Sequence, residues 1–167
     1  MQSKASRILI LLTTIFAVLS GLYLLIGGIW LAKLGGSLYY IIAGVIQLIT
    51  AFLLFRRRGA ALLLYALFLL GTTIWSLWEV GSDFWALTPR LDVTFFFGLW
   101  LVLPFIWRGL SSEGAFPRTA LAGVLVFVVI VLAYSVFNDP QEVNGTLSAD
   151  QVEQPAPSAD GVAAGDW

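Results

Sequence analysis

Leu48–Leu70 reads LITAFLLFRRRGAALLLYALFLL: two apolar runs facing each other across three consecutive arginines. Extended outward, the run before the arginines covers residues 38–55 and the run after them 59–80. At about 1.5 Å per helical residue, each crosses most of a hydrocarbon core of about 30 Å. Three more runs follow the same logic, at residues 8–32, 89–107 and 119–137. With 59% apolar residues, 11% charged residues and a mean hydropathy of +0.91, a water-soluble core is the wrong frame for this chain. The fold class expected is an all-α membrane protein, a bundle of five transmembrane helices.

Local signals set the expected ends of the spans. The first run is too long for a signal-peptide core and has no small-residue cleavage site, so it reads as a retained anchor. Gly81 supplies a left-handed cap for the third span. Thr88 reads as the N-cap of the fourth, with Pro89 at its first helical position, and Pro104 predicts a kink that frees the carbonyl of Trp100. Asn138, Asp139 and Pro140 end the fifth.

Orientation comes from the bases. Lys4, Arg7, Arg56, Arg57, Arg58, Arg108 and Arg118 fall on one side of the five spans, against Lys33 and Arg90 on the other, seven of nine. Basic loops are retained in the cytoplasm, so the N-terminus is expected there and the C-terminus outside. Nine of the ten carboxylates then lie outside, Glu113 being the exception. Residues 1–140 form the expected anchor domain. Residues 141–167 hold five prolines and glycines, five acids and no base, which reads as a flexible exported linker. Asn144-Gly145-Thr146 within it matches a glycosylation acceptor and equally a turn. Gly165, Asp166 and Trp167 end the linker as though a folded domain begins there.

Helices in lipid associate through close approach at small residues and a few hydrogen bonds. Ala17, Gly21, Gly28 and Ala32 are the candidates on the first span, Ala43 and Gly44 on the second, and Gly71 and Gly98 on the third and fourth. Gln47, in mid-span, is expected to make an interhelical hydrogen bond, with a ligand contact as the alternative.

Chemistry concentrates between the third and fourth spans, in WEVGSDFWALTPRLD, residues 78–92. One reading is an interfacial aromatic belt with an Arg/carboxylate cap tying the two helices together. The other makes Trp75, Trp78, Glu79, Trp85 and Arg90 the headgroup end of a site for a lipid-soluble ring such as a quinone, whose carbonyls need hydrogen-bond donors. With no cysteine and no histidine in the chain, the usual zinc, haem and thiol ligand sets are missing, so any cofactor must be held without those two residue types. Nothing marks a nucleic-acid binder.

The stretches GLYLLIGG (residues 21–28), GGSLYY (35–40), LLGTTIWSLWEVGSDFWALTPR (69–90), FFFGLWLVLPFIWR (95–108) and FNDPQEVNGTLSAD (137–150) resemble the N-terminal membrane domain of the membrane-bound quinoprotein glucose dehydrogenases of bacteria. The related quinate/shikimate dehydrogenases share this architecture. The resemblance implies an inner-membrane anchor, multi-pass in the bilayer, joined in cis to a periplasmic β-propeller. That propeller holds pyrroloquinoline quinone (PQQ) and a divalent metal, oxidises glucose or a related polyol, and passes electrons to ubiquinone. No position in this segment inherits a PQQ ligand, a metal ligand or the catalytic carboxylate. A small free-standing transporter or a partner-binding scaffold is the alternative; charges confined to span ends and the lack of an inverted repeat weigh against transport.

Overall fold

The computed structural model describes residues 4–111 and 114–138, and its regular structure there is entirely helical: α1 (Lys4–Lys33), α2 (Tyr39–Phe55), α3 (Ala60–Val80), α4 (Phe84–Val102), α5 (Pro104–Trp107) and α6 (Phe116–Phe137). The tail from Gln141 onward, with Asn144-Gly145-Thr146, lies outside the described residues, as do Glu113, Asp139 and Pro140. By length and composition α1, α3 and α6 are each able to cross a membrane; α2 is as apolar but has 17 residues. α4 has 19 residues and carries Arg90 and Asp92.

α1 and α2 form an antiparallel hairpin whose seam is built from glycines. A Cβ on Gly28 would sit 2.7 Å from the backbone nitrogen of Ile41, and one on Gly44 would sit 2.6 Å from that of Leu25. The two backbones therefore touch, which in lipid supplies the dispersion contact that the hydrophobic effect cannot. Ala17, Gly21 and Ala43 are buried along the same seam. Gln47, only 5% exposed, donates through Nε2 to Ser20 Oγ at 3.2 Å, the interhelical bond expected of it. α3, α4 and α6 pack mutually, with Gly98 lying under Tyr65 and Leu125, and α2 leans on α3. Gly71 departs from expectation. It is exposed with nothing near its missing Cβ, and α3 packs through Ala61, Ala66 and Leu69 instead.

Hydrogen bonds gather the connections into two ends. At one, Ser6 Oγ donates to the Phe105 carbonyl, Ser111 N–H donates to the Arg57 carbonyl, and the Ser111 hydroxyl accepts from Gly59 N–H. This joins the start of α1, the arginine turn and the α5–α6 connection. At the other end, Ser82 Oγ donates to the Asn138 carbonyl, while Tyr39 at the start of α2 meets Thr72 of α3 at 2.8 Å.

Two expectations about the fourth span are corrected. Its N-cap is Asp83, not Thr88: Asp83 is extended (φ −69°, ψ 111°) and its Oδ1 accepts from Ala86 N–H at 3.1 Å. Aspartate caps as well as threonine does, and here it follows directly on the turn at Gly81, whose φ of 65° suits glycine. The helix thus starts five residues early, Pro89 sits inside it, and Thr88 turns its hydroxyl back onto the Phe84 carbonyl. Pro104 breaks the span rather than kinking it. A proline disfavours the helical conformation at the residue before it; here Leu103 is extended (ψ 141°), and Pro104 opens the short helix α5. The Trp100 carbonyl is not freed, because Leu103 N–H donates to it at 3.2 Å.

Candidate functional site

The aromatic and charged residues between α3 and α4 are distributed over several surfaces. Arg90 and Glu79 meet: Arg90 Nε donates to Glu79 Oε2 at 3.2 Å, and a second guanidinium nitrogen donates to the Ala86 carbonyl at 2.7 Å. This is the expected tie between the third and fourth helices, and it leaves the rest of the guanidinium's five N–H donors unengaged. Asp83 is occupied as the helix cap.

Trp75 turns toward α2, stacked on Tyr39 with ring centroids 4.2 Å apart and planes 3° from parallel. The indoles of Trp78 and Trp85 face outward, 83% and 76% exposed, with Trp85 edge-on to Phe84. An amphipathic ring left exposed at a helix end suits the headgroup level of a bilayer. The five candidate residues therefore form one ion pair, one stacked ring and two free rings at the same end of the bundle.

A feature missed in sequence lies on the opposite side of α4. A helix opening at Pro89 would place Arg90 and Asp92 together in its first turn. With the helix starting at Phe84 they fall in its second and third turns, and two residues on a helix point roughly 200° apart. Asp92 faces a lateral groove of about 550 Å³ between α1 and α4, lined also by Leu12, Thr13, Phe16, Phe97 and Trp100. Trp100 Nε1 donates to Thr13 Oγ1 at 2.9 Å, and Phe16 meets Phe97 at 5.4 Å, so these contacts hold α1 against the far half of α4. The signal was present in Thr13 and Thr14, a polar pair in an otherwise apolar span. It could be assigned to a partner only after the true start of α4 was known.

Among the described residues no three side chains of His, Cys, Asp or Glu converge on a point where a metal ion could sit.

No family model matches the chain, and no solved structure matches it. Curated proteins do. The chain is 55% identical over 166 residues to the quinoprotein glucose dehydrogenase of Escherichia coli (strain K12), covering 99% of this chain and 21% of that protein. It is 52% identical over 155 residues to quinoprotein glucose dehydrogenase A of Acinetobacter calcoaceticus, covering 93% and 19%. To the quinate/shikimate dehydrogenase (quinone) of Acinetobacter baylyi it is 33% identical over 123 residues, 72% of this chain and 15% of that protein. The chain thus spans about a fifth or less of the length of these relatives.

Proposed function

We propose that this chain, homologous over nearly its whole length to the N-terminal region of quinoprotein glucose dehydrogenases, is the membrane anchor of a quinone-linked dehydrogenase. The observation that carries the reading is the pairing of 55% identity across 99% of the chain with coverage of only 21% of the relative. The shared segment is the apolar helical one, and the chemistry belongs to the remaining four-fifths of such an enzyme. There PQQ and a divalent metal would act on glucose or a related polyol, in a propeller joined in cis.

In this reading the bundle crosses the bacterial inner membrane five times, by α1, α2, α3, α4 with α5, and α6. The N-terminus lies in the cytoplasm, residues 1–140 form the anchor, and residues 141–167 form a periplasmic linker. Support comes from the hydrogen bonds of Ser6 and Ser111. They draw the start of α1, the Arg56–Arg58 turn and the α5–α6 connection to one end, so the basic side of the count is also one physical end. Reporter fusions test it: alkaline phosphatase after Trp167 should be active and after Arg58 inactive, and the reverse pattern overturns the orientation.

The other end would face the catalytic body and the quinone pool. Ubiquinone carbonyls need donors, and Arg90 retains N–H groups beyond those given to Glu79 and Ala86. The exposed faces of Trp78 and Trp85 offer stacking surfaces at the same end of the bundle, where Glu79 holds Arg90 and Trp75 stacks on Tyr39. The test is photo-crosslinking with a ubiquinone analogue. Labelling should fall in Trp78→Ala, Trp85→Ala and Arg90→Ala; equal labelling in all three returns this end to an aromatic belt and ion-paired cap.

A further inference from the structure

We propose that the groove between α1 and α4 is a site for an aminophospholipid of the phosphatidylethanolamine class, whose ammonium group is held by the Asp92 carboxylate while an acyl chain lies along the groove. The site rests on the bundle lying in a bilayer, as the anchoring reading has it. Asp92 is eight residues in from Phe84, the first residue of α4, roughly 12 Å along the helix axis. A carboxylate at that depth is costly beside lipid, and such a group faces a partner cation or marks a binding site.

The chain does not bring that cation. All nine of its lysines and arginines lie between Lys4 and Arg118, and the residues outside the described ones (1–3, 112–113 and 139–167) include none of them. Arg90 is closest in sequence, but it points roughly 200° around α4 from Asp92 and is engaged by Glu79 and the Ala86 carbonyl. Seven others belong to the end of the bundle past the far end of α4, where Ser6 meets the Phe105 carbonyl and Arg118 lies over Trp107. Lys33 closes α1, about 25 Å along that helix from Phe16 on the groove wall. The neutral Val93 N–H donates to Asp92 Oδ1. An ionised carboxylate has about four lone-pair sites, so this one bond leaves room for the donors of an ammonium.

The walls suit the rest of such a molecule. The groove, about 550 Å³ in volume, is lined by Leu12, Phe16, Phe96 and Trp100 together with Asp92. Leu12, Phe16 and Phe96 are each half-exposed or more, so the groove opens sideways and an occupant enters from lipid. The aromatic faces add attraction for a cation. The bond from Trp100 Nε1 to Thr13 Oγ1 and the contact of Phe16 with Phe97 brace the two walls, so the cleft is formed before its ligand arrives. One negative charge in an apolar cleft also selects among headgroups. Phosphatidylglycerol brings a like charge, and phosphatidylcholine a cation without N–H groups. Phosphatidylethanolamine brings three N–H donors on a cation, the charge-assisted match for a carboxylate.

The experiment counts bound lipid on the purified chain in non-ionic detergent by native mass spectrometry, during titration with phosphatidylethanolamine, its N,N-dimethyl derivative, phosphatidylcholine or phosphatidylglycerol. Wild type should retain one phosphatidylethanolamine at concentrations where phosphatidylcholine and phosphatidylglycerol are lost, with the dimethyl form between. Asp92→Asn, which keeps the shape and an oxygen for Val93 N–H, should weaken retention by about tenfold, the order of a hydrogen bond between two charged groups. Asp150→Asn removes the same charge from the tail and should bind as wild type. Equal retention in Asp92→Asn overturns the site, and an equal loss in Asp150→Asn reduces it to diffuse attraction. Neither millimolar ethanolamine nor a short-chain ubiquinone analogue should displace the lipid; displacement by either overturns a phospholipid as the occupant. Should Asp92→Asn not fold, the methylation series on wild type carries the test: retention unchanged from three N–H donors to none overturns the proposal. None of these outcomes alters the phosphatase-fusion result, so the site can fail while the anchoring reading stands.

Discussion

Adding one methyl group to Gly44 should force α1 and α2 apart. The new Cβ would lie 2.6 Å from Leu25 N, 2.8 Å from Leu25 Cα and 2.9 Å from the Gly21 carbonyl oxygen. All three are backbone atoms, so no rotamer change relieves the clash, and ordinary contact at about 3.5–4.0 Å requires the helices to separate by roughly 1 Å. A gap of that size forfeits about a quarter to a half of each contact. Over roughly fifty atom pairs at about 0.1–0.2 kcal/mol each, the loss is about 1–5 kcal/mol. Replacing glycine by alanine inside a helix returns about 1 kcal/mol. The net expected is about 0–4 kcal/mol of destabilisation, centred on the roughly 1–3 kcal/mol usual for overpacking. Gly28→Ala should behave alike, since its Cβ would meet Ile41 N at 2.7 Å. The double variant should cost less than the sum, because one separation relieves both clashes. Gly27→Ala is the control, with nothing within 4 Å of its Cβ. The assay is unfolding by SDS in mixed micelles, followed by tryptophan fluorescence. A Gly44→Ala protein that unfolds at or above the wild-type SDS fraction refutes the seam, as does a Gly27→Ala protein that loses as much.

Three further outcomes are expected in the same assay. Asp83→Ala should lose about 1 kcal/mol with the α4 cap, and Asp83→Asn most of that loss should be spared; equal losses would mean that the charge, not the capping bond, matters. A double-mutant cycle of Arg90→Ala with Glu79→Ala should give a coupling of about 0.2–1 kcal/mol for this half-exposed pair, shrinking with added salt. Thr13→Val should cost about 0.5–1.5 kcal/mol through the lost bond from Trp100 Nε1, and Trp100→Phe added to it should cost little more through that bond.

Much of the bundle was legible in sequence because lipid leaves the backbone few options: an apolar run of sufficient length, bounded by charge, becomes a helix. The starts and ends of α1, α2, α3 and α6 fall within a few residues of the expected ones for that reason. Gly28 and Gly44 were legible as packing residues, but Gly71 carries the same residue type on a face that meets nothing. Which face of a helix meets a neighbour is a tertiary fact. Ser111 escaped notice entirely, since a serine in a connection has no pattern to mark it, and its importance lies in two bonds to a turn more than fifty residues earlier.

The fourth span shows how one capping choice redistributes chemistry. Thr88-Pro89 and Asp83 offered competing starts, and the sequence favoured the first because proline suits the opening position of a helix. Asp83 wins because the Gly81 turn delivers the chain there already extended, so the cap forms before the proline is reached. A proline six residues in removes a single donor, that for the Trp85 carbonyl, close to an end where water can serve it. The consequence reaches Arg90 and Asp92, which move from the helix mouth into its second and third turns and onto opposite faces. Arg90 then has Glu79 within reach across α3, whereas Asp92 faces the α1 groove with only the adjacent Val93 N–H as its hydrogen-bond donor among the described residues. Substituting Asp83 should therefore alter more than helix stability: by loosening the first turns of α4 it should also loosen the Arg90–Glu79 pair, and the coupling measured in their cycle should fall when Asp83 is alanine. An unchanged coupling would show that the ion pair is held by α3 and the rest of α4 alone, independently of where the helix begins.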